Sequence, residues 1–82
     1  MADRTKAAEV EALGARIKRL RQARNLSQDR LAIESHIDQS GLSKFERGKD
    51  RSMGRAPLER IAAVFKLSLA ELLSGTDHAD KL

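Results

Sequence analysis

The sequence predicts a compact all-α domain of five helices, and three observations carry that expectation. Apolar residues recur at spacings of three and four along most of the chain. Residues that favour helix starts and stops stand between those stretches. No run alternates apolar with polar residues as a half-buried strand would. At 82 residues the chain makes one domain, and burial is marginal at this size unless the helices pack well or share surface with a second copy.

Val10, Leu13, Ile17 and Leu20 set one apolar stripe on a first helix spanning about residues 5–24, with Thr5 near its start. Gly14 inside that stripe costs roughly 1 kcal/mol relative to alanine, which predicts fraying or loose packing in the first turns. Asn25 closes the helix, because asparagine tolerates the left-handed conformation. Ser27 is an N-cap for a second helix over residues 28–35, with Asp29 at the positive end of the dipole and Leu31 and Ala32 facing inward. Asp38 caps a third helix, residues 39–47, whose inner side is Leu42 and Phe45 and whose stop is Gly48. Residues 49–55 read as a polar loop rich in cations. Pro57 suits a first helical turn, and Leu58, Ile61, Ala62 and Phe65 line a fourth helix ending near Lys66. Ser68 caps a fifth, with Leu69, Leu72 and Leu73 apolar and Ser74-Gly75 closing it. Residues 1–12 are then an N-terminal extension continuing into the first helix, residues 13–73 the folded domain, and residues 74–82 a mobile tail.

The formal charge is +4, and it is unevenly placed. Residues 13–52 hold ten basic and five acidic side chains, whereas the flanking stretches are nearly balanced. A basic centre fits a surface for a polyanion, since neutralised phosphates release counterions and drive association; the competing reading is a solvated helix face. The chain has no cysteine, hence no disulfide, thiolate metal site or nucleophilic thiol. With no apolar run of signal-peptide or membrane-spanning type, a soluble, cytoplasmic protein is expected. His36 and His78 stand alone, without carboxylates at ligand spacing, and no Ser, His and Asp arrangement or phosphate-cradling glycine loop occurs. No metal, cofactor, small-molecule ligand or enzymatic activity is implied.

The second and third helices, each capped and only a few residues apart, make a helix-turn-helix in which the third is free to project. A helix fits the DNA major groove, with exposed residues reaching base edges while flanking elements touch phosphates. Off the Leu42/Phe45 stripe lie Gln39, Ser40, Ser43, Lys44 and Arg47, polar and rich in donors.

Leu26-Ser27-Gln28 with Leu31-Ala32, then Ser40-Gly41-Leu42-Ser43-Lys44-Phe45-Glu46-Arg47-Gly48, then the apolar stretch from Leu58 to Leu73, resemble the Xre/Cro-type, lambda-repressor-like helix-turn-helix domain of bacterial and phage regulators. The resemblance covers about residues 13–73. It implies a transcriptional regulator in which Gln39, Ser40 and Lys44 contact bases, while Gln28, Ser43, Arg47, Lys49 and Arg51 contact phosphates. It further implies that Arg21 and Glu46 form a structural ion pair tying the first helix to the end of the third. Members of this kind bind a near-palindromic operator as homodimers, and Val64, Leu69 and Leu73 are the expected dimer interface; the same side chains would otherwise complete the monomer core. The outward face carrying Asp29 and Glu34 is where relatives touch RNA polymerase, though both are equally solvated charges. Asp38 at the cap is similar to restriction-modification controller proteins. The stretch after Gly48 is one or two residues longer than is usual, with Met53-Gly54 where a proline or small polar residue is common. Against all this stands a helical interaction module of antitoxin or adaptor type, whose main partner is a protein.

Overall fold

Short helices in a chain this size hold only if their ends are satisfied and their apolar sides meet, and both conditions organise the molecule. The computed structural model describes residues 11–49 and 52–77. Among them run α1 (Leu13–Ala23), α2 (Gln28–Ser35), α3 (Gln39–Glu46), α4 (Arg55–Val64) and α5 (Leu69–Leu73). Helix α2 packs on both α3 and α4, α1 crosses α3, and α4 packs on α5. The core gathers Leu13 and Ile17 from α1, Leu31 and Ala32 from α2, Leu42 and Phe45 from α3, then Leu58, Ile61, Ala62 and Phe65, and finally Leu72 and Leu73.

The starts of α2, α3 and α5 are capped as their sequences suggest. Ser27 accepts from the Arg30 amide at 3.0 Å, Asp38 from the Gly41 amide at 3.1 Å, and Ser68 and Glu71 complete a reciprocal capping box. The ends share one device. Asn25, His36, Gly48 and Lys66 each take positive φ, and the amide after each reaches back to a carbonyl one turn inside, as Leu26 N–H does to Arg21 at 3.0 Å and Leu67 N–H to Ala62 at 2.8 Å. Arginines cover other end carbonyls. Arg60 Nε donates to Ser35 O at 2.8 Å, and Arg24 donates to Phe65 O while lying 5.0 Å over its ring.

Several expectations change. The first helix does not extend back to Thr5 through Glu11 and Ala12; the stretch 5–10 lies outside the described residues, and α1 starts only at Leu13. Glu11 instead forms an isolated parallel bridge with Thr76. Its amide donates to Gly75 O at 3.1 Å, and its carbonyl accepts from the Asp77 amide at 3.0 Å. Ala12 carries no capping side chain, and the Leu13 amide donates to Asp77 Oδ1 at 3.2 Å. Arg16 returns the clasp by donating to the Leu72 and Glu71 carbonyls at 2.8 and 3.1 Å. Thus the segment expected to be mobile from residue 74 onward is tied down through Asp77, with Thr76 buried. Glu11 also pairs with Arg19 at 2.5 Å, and that hydrogen bond and charge raise the Arg19 pKa further above its ordinary value. Helix α4 begins at Arg55 with Gly54 as its cap, and Pro57 stands in its first turn as expected, where its missing N–H had no partner.

Gly14 is the largest correction. Rather than loosening α1, it permits contact: a Cβ built there would lie 1.9 Å from the Phe45 carbonyl oxygen and 3.1 Å from Glu46 Cα. The obstacle is backbone, so no rotamer change relieves it. Gly14→Ala should therefore lower stability by about 2 kcal/mol, the overpacking cost exceeding the gain in helix propensity. That is a drop of roughly 8–16 °C in Tm; an unchanged or raised Tm in thermal unfolding would refute the close crossing. Asp77→Ala should cost about 1 kcal/mol, as loss of a helix cap does, and should speed hydrogen exchange at the Leu13 amide relative to mid-helix amides of α1.

Candidate nucleic-acid interface

Helix α3 turns two of its sides to different surroundings. Leu42 is fully buried, and Phe45 and Glu46 nearly so, while Gln39, Ser40, Lys44 and Arg47 are exposed and Ser43 is half-buried. Positions 39, 40, 43, 44 and 47 are spaced so that they share one face. That face carries one amide, two hydroxyls and two cations, and Leu42 and Phe45 anchor it from behind. Asp38 at the cap and Gly48 at the stop fix its length to two turns.

Behind this face runs a chain of polar contacts. Arg21, at the end of α1, meets Glu46 with two parallel bonds, Nε to Oε2 and Nη2 to Oε1, both 2.9 Å. Its Nη1 donates to the Leu26 carbonyl at 3.0 Å. The two side chains are only 11% and 1% exposed, so the bidentate geometry matters: burying either charge alone would be costly. Glu46 Oε1 also accepts from Gln28 Nε2 at 3.0 Å. Gln28 Oε1 in turn accepts from Gln39 Nε2 at 2.8 Å. The expected pair of Arg21 and Glu46 is therefore present. The sequence reading missed that Gln28 and Gln39 continue it. The available signal was that both glutamines occupy the first position of consecutive helices, immediately after a cap.

The other cations divide by what surrounds them. Arg16 and Arg19 face Glu11, Arg30 pairs with Glu34, and Arg55 with Glu59. Lys44, Arg47 and Lys49 are exposed and have no acidic partner among the described residues; Arg47 only reaches the Ser43 carbonyl at 3.4 Å. Three such cations thus lie together at the end of α3 and just past it, whereas Lys18 and Lys66, likewise exposed and without an acidic partner among the described residues, stand singly elsewhere. Arg51 lies outside the described residues. Asp29 and Glu34 are exposed on α2, beside Ile33, which is 63% exposed. Of the three residues expected at a dimer interface, Leu73 is 3% exposed within the single chain and belongs to its core. Val64 and Leu69 are half-buried and pack against that core.

Among the described residues no group of three or more His, Cys, Asp or Glu could hold a metal ion, and no helix is long and apolar enough to cross a membrane. A cleft of about 290 Å³ opens between the α2–α3 turn and residues 52–54.

Comparison with known proteins places this geometry. The family described as "Helix-turn-helix domain" matches residues 12–74. An uncharacterized HTH-type transcriptional regulator, RghRB of Bacillus subtilis (strain 168), is 34% identical over 65 residues, covering 79% of this chain and 47% of the relative. The chain therefore spans about half the length of that curated relative. Among solved structures, a SinR protein/SinI protein complex superposes with a TM-score of 0.72 at 30% identity, covering 85% of this chain and 66% of the other. The crystal structure of SinR, the master regulator for biofilm formation, in complex with DNA gives a TM-score of 0.71 at 32% identity, covering 76% and 98%. With a two-turn α3 anchored by Leu42 and Phe45 and the family match running from before α1 to after α5, the chain belongs to the helix-turn-helix domain family, in its Xre/Cro-type, lambda-repressor-like form.

Proposed function

We propose that the chain is a sequence-specific DNA-binding transcriptional regulator that lays α3 in the major groove. The observation that carries this reading is the single exposed face of α3, on which Gln39, Ser40 and Lys44 stand clear of the core while the cations beside them lack acidic partners. In the groove, Gln39 has the donor and acceptor pair that suits adenine, and Lys44 the donor that suits guanine. Gln28, Ser43, Arg47, Lys49 and Arg51 hold the flanking phosphates and set the register without reading sequence. The DNA complex of the SinR neighbour lends support, since that protein shares the fold.

A twofold homodimer would place two copies of α3 one helical turn apart, ~34 Å, on a near-palindromic operator. Val64 and Leu69 are the residues of the expected interface that retain exposed apolar surface, and Leu73 is withdrawn from it by its burial. Asp29 and Glu34, facing outward from α2, are available to RNA polymerase, which gives a bound dimer a means of recruiting as well as blocking transcription. The SinI complex of the same neighbour keeps a protein partner in view.

Titration of a random duplex at rising salt separates DNA binding from a purely protein-directed role. Affinity should fall linearly in log–log form with a slope set by the phosphates neutralised; a flat response would favour the protein-directed role. Lys49→Ala should weaken binding to all sequences alike and reduce that slope by about one. Gln39→Ala should instead relax discrimination at one base by about 1 to 3 kcal/mol, measured by competition between operator variants selected from a random pool. Unchanged sequence preference in that variant would remove Gln39 from the base-reading set.

A further inference from the structure

We infer that the seam joining Glu11 to residues 75–77 regulates α3: the Asp77 carboxylate holds the first turn of α1 closed, and that turn backs the end of α3. A flanking stretch of polypeptide that draws Asp77 off Leu13 therefore weakens duplex binding from a distance. The regulatory consequence rests on the DNA-binding reading above. The coupling between seam and helix stands on the fold alone.

The first turn of α1 has little local support. A helix start leaves amides without intrahelical partners, and Ala12 at the cap position has no side-chain oxygen to offer them. Gly14, the second helical residue, is of a type that only proline exceeds in disfavouring a helix. What the turn lacks arrives from the other end of the chain. Asp77 Oδ1 accepts from the Leu13 amide at 3.2 Å, which sets a negative charge at the positive end of the helix dipole. Glu11 is stitched to Gly75 and Asp77 by backbone bonds of 3.1 and 3.0 Å. Arg16, one turn on, binds the Leu72 and Glu71 carbonyls at 2.8 and 3.1 Å. The cap and both backbone bonds are lost together when residues 75–77 move away. The same turn carries Gly14, whose backbone lies against the Phe45 carbonyl and Glu46 Cα at the end of α3. Fraying withdraws that backbone, and the end of α3 loses the surface it is pressed against. Two states result, one with the turn capped and α3 backed, the other with both released. A duplex that grips α3 favours the first, and by reciprocity whatever closes the seam favours the duplex. The controlling element is polypeptide, because residues 11 and 77 are where the described fold meets the rest of the chain.

Asp77→Ala, alone and combined with Ala12→Ser, tests this. Alongside faster exchange at the Leu13 amide, Asp77→Ala should move the Phe45 and Glu46 backbone amide resonances. It should also lower duplex affinity on every sequence alike, by about two- to fivefold, the upper figure being the equilibrium that one helix cap commands. Removal of a negative charge would by itself strengthen binding to a polyanion, so a weakened affinity reports the helix and not the charge. Ala12 already has the extended backbone of an N-cap, so Ala12→Ser gives the turn a cap of its own. In the double variant the Leu13 exchange, the α3 resonances and the affinity should all return to those of the parent chain. In the parent chain, added duplex should slow exchange at Leu13. Unmoved Phe45 and Glu46 resonances in Asp77→Ala would overturn the coupling. So would a double variant whose first turn is restored while its α3 signals stay altered. Moved resonances with unchanged affinity would overturn the regulatory role. Resonances that move and return in a chain that binds no duplex even at low salt would uphold the coupling and end the DNA-binding reading instead.

Discussion

The close crossing of α1 over the end of α3 is the constraint on which the rest depends. It has two parts that need each other. Gly14 lets the α1 backbone approach the Phe45 carbonyl closer than any side chain would allow, and Arg21, two turns further along α1, reaches Glu46 with both nitrogens. The first contact sets a distance and the second an orientation. Together they hold the recognition-type helix from its far end, while Asp38 and the α2 packing hold it from the near one. Burial of the ion pair does not make it a large stabiliser, since desolvation offsets much of the attraction. Its contribution is directional: only one angle between the helices satisfies both bonds.

Charge shows the same separation of duties. Cations of α1, α2 and α4 are mostly spent on local partners: Glu11 for Arg16 and Arg19, Glu34 for Arg30, Glu59 for Arg55, and end carbonyls for Arg24 and Arg60. Exposed pairs of this sort add little to stability, yet they neutralise the surface away from α3. Among the described residues Lys44, Arg47 and Lys49 then form a short positive edge, while Lys18 and Lys66 stand exposed elsewhere, also without an acidic partner. The basic centre seen in the sequence is thus narrower in three dimensions than along the chain.

Much of the fold was legible because the signals were local. Ser27, Asp38 and Ser68 mark helix starts whose caps form within three residues, and the Leu42/Phe45 spacing assigns the inner side of α3 without knowledge of its neighbours. Asn25 and Gly48 likewise end their helices where the sequence indicates. Misreadings arose where the partner is remote. Nothing near Ala12 reveals that the helix after it is capped by Asp77, sixty-four residues beyond Leu13, and propensity alone makes Gly14 a weakness because the object it accommodates belongs to another helix. The same holds for the site. Exposure of Gln39, Ser40 and Lys44 follows from periodicity, and the Arg21–Glu46 pair from the family resemblance. The links from Glu46 through Gln28 to Gln39 depend on the angle between α2 and α3, which no spacing encodes. Leu73 was misjudged for a related reason: apolar periodicity cannot distinguish a residue facing a partner from one facing its own core.

The bridge between Glu11 and Thr76 has a consequence of its own. It draws together two points that are far apart along the chain, so whatever polypeptide lies before residue 11 and after residue 77 is anchored at neighbouring sites on a common seam. A neighbouring module joined on either side would inherit the same attachment geometry, and tension applied between the two flanks would load the clasp of Glu11, Arg16 and Asp77 before it reached the helix that carries Gln39.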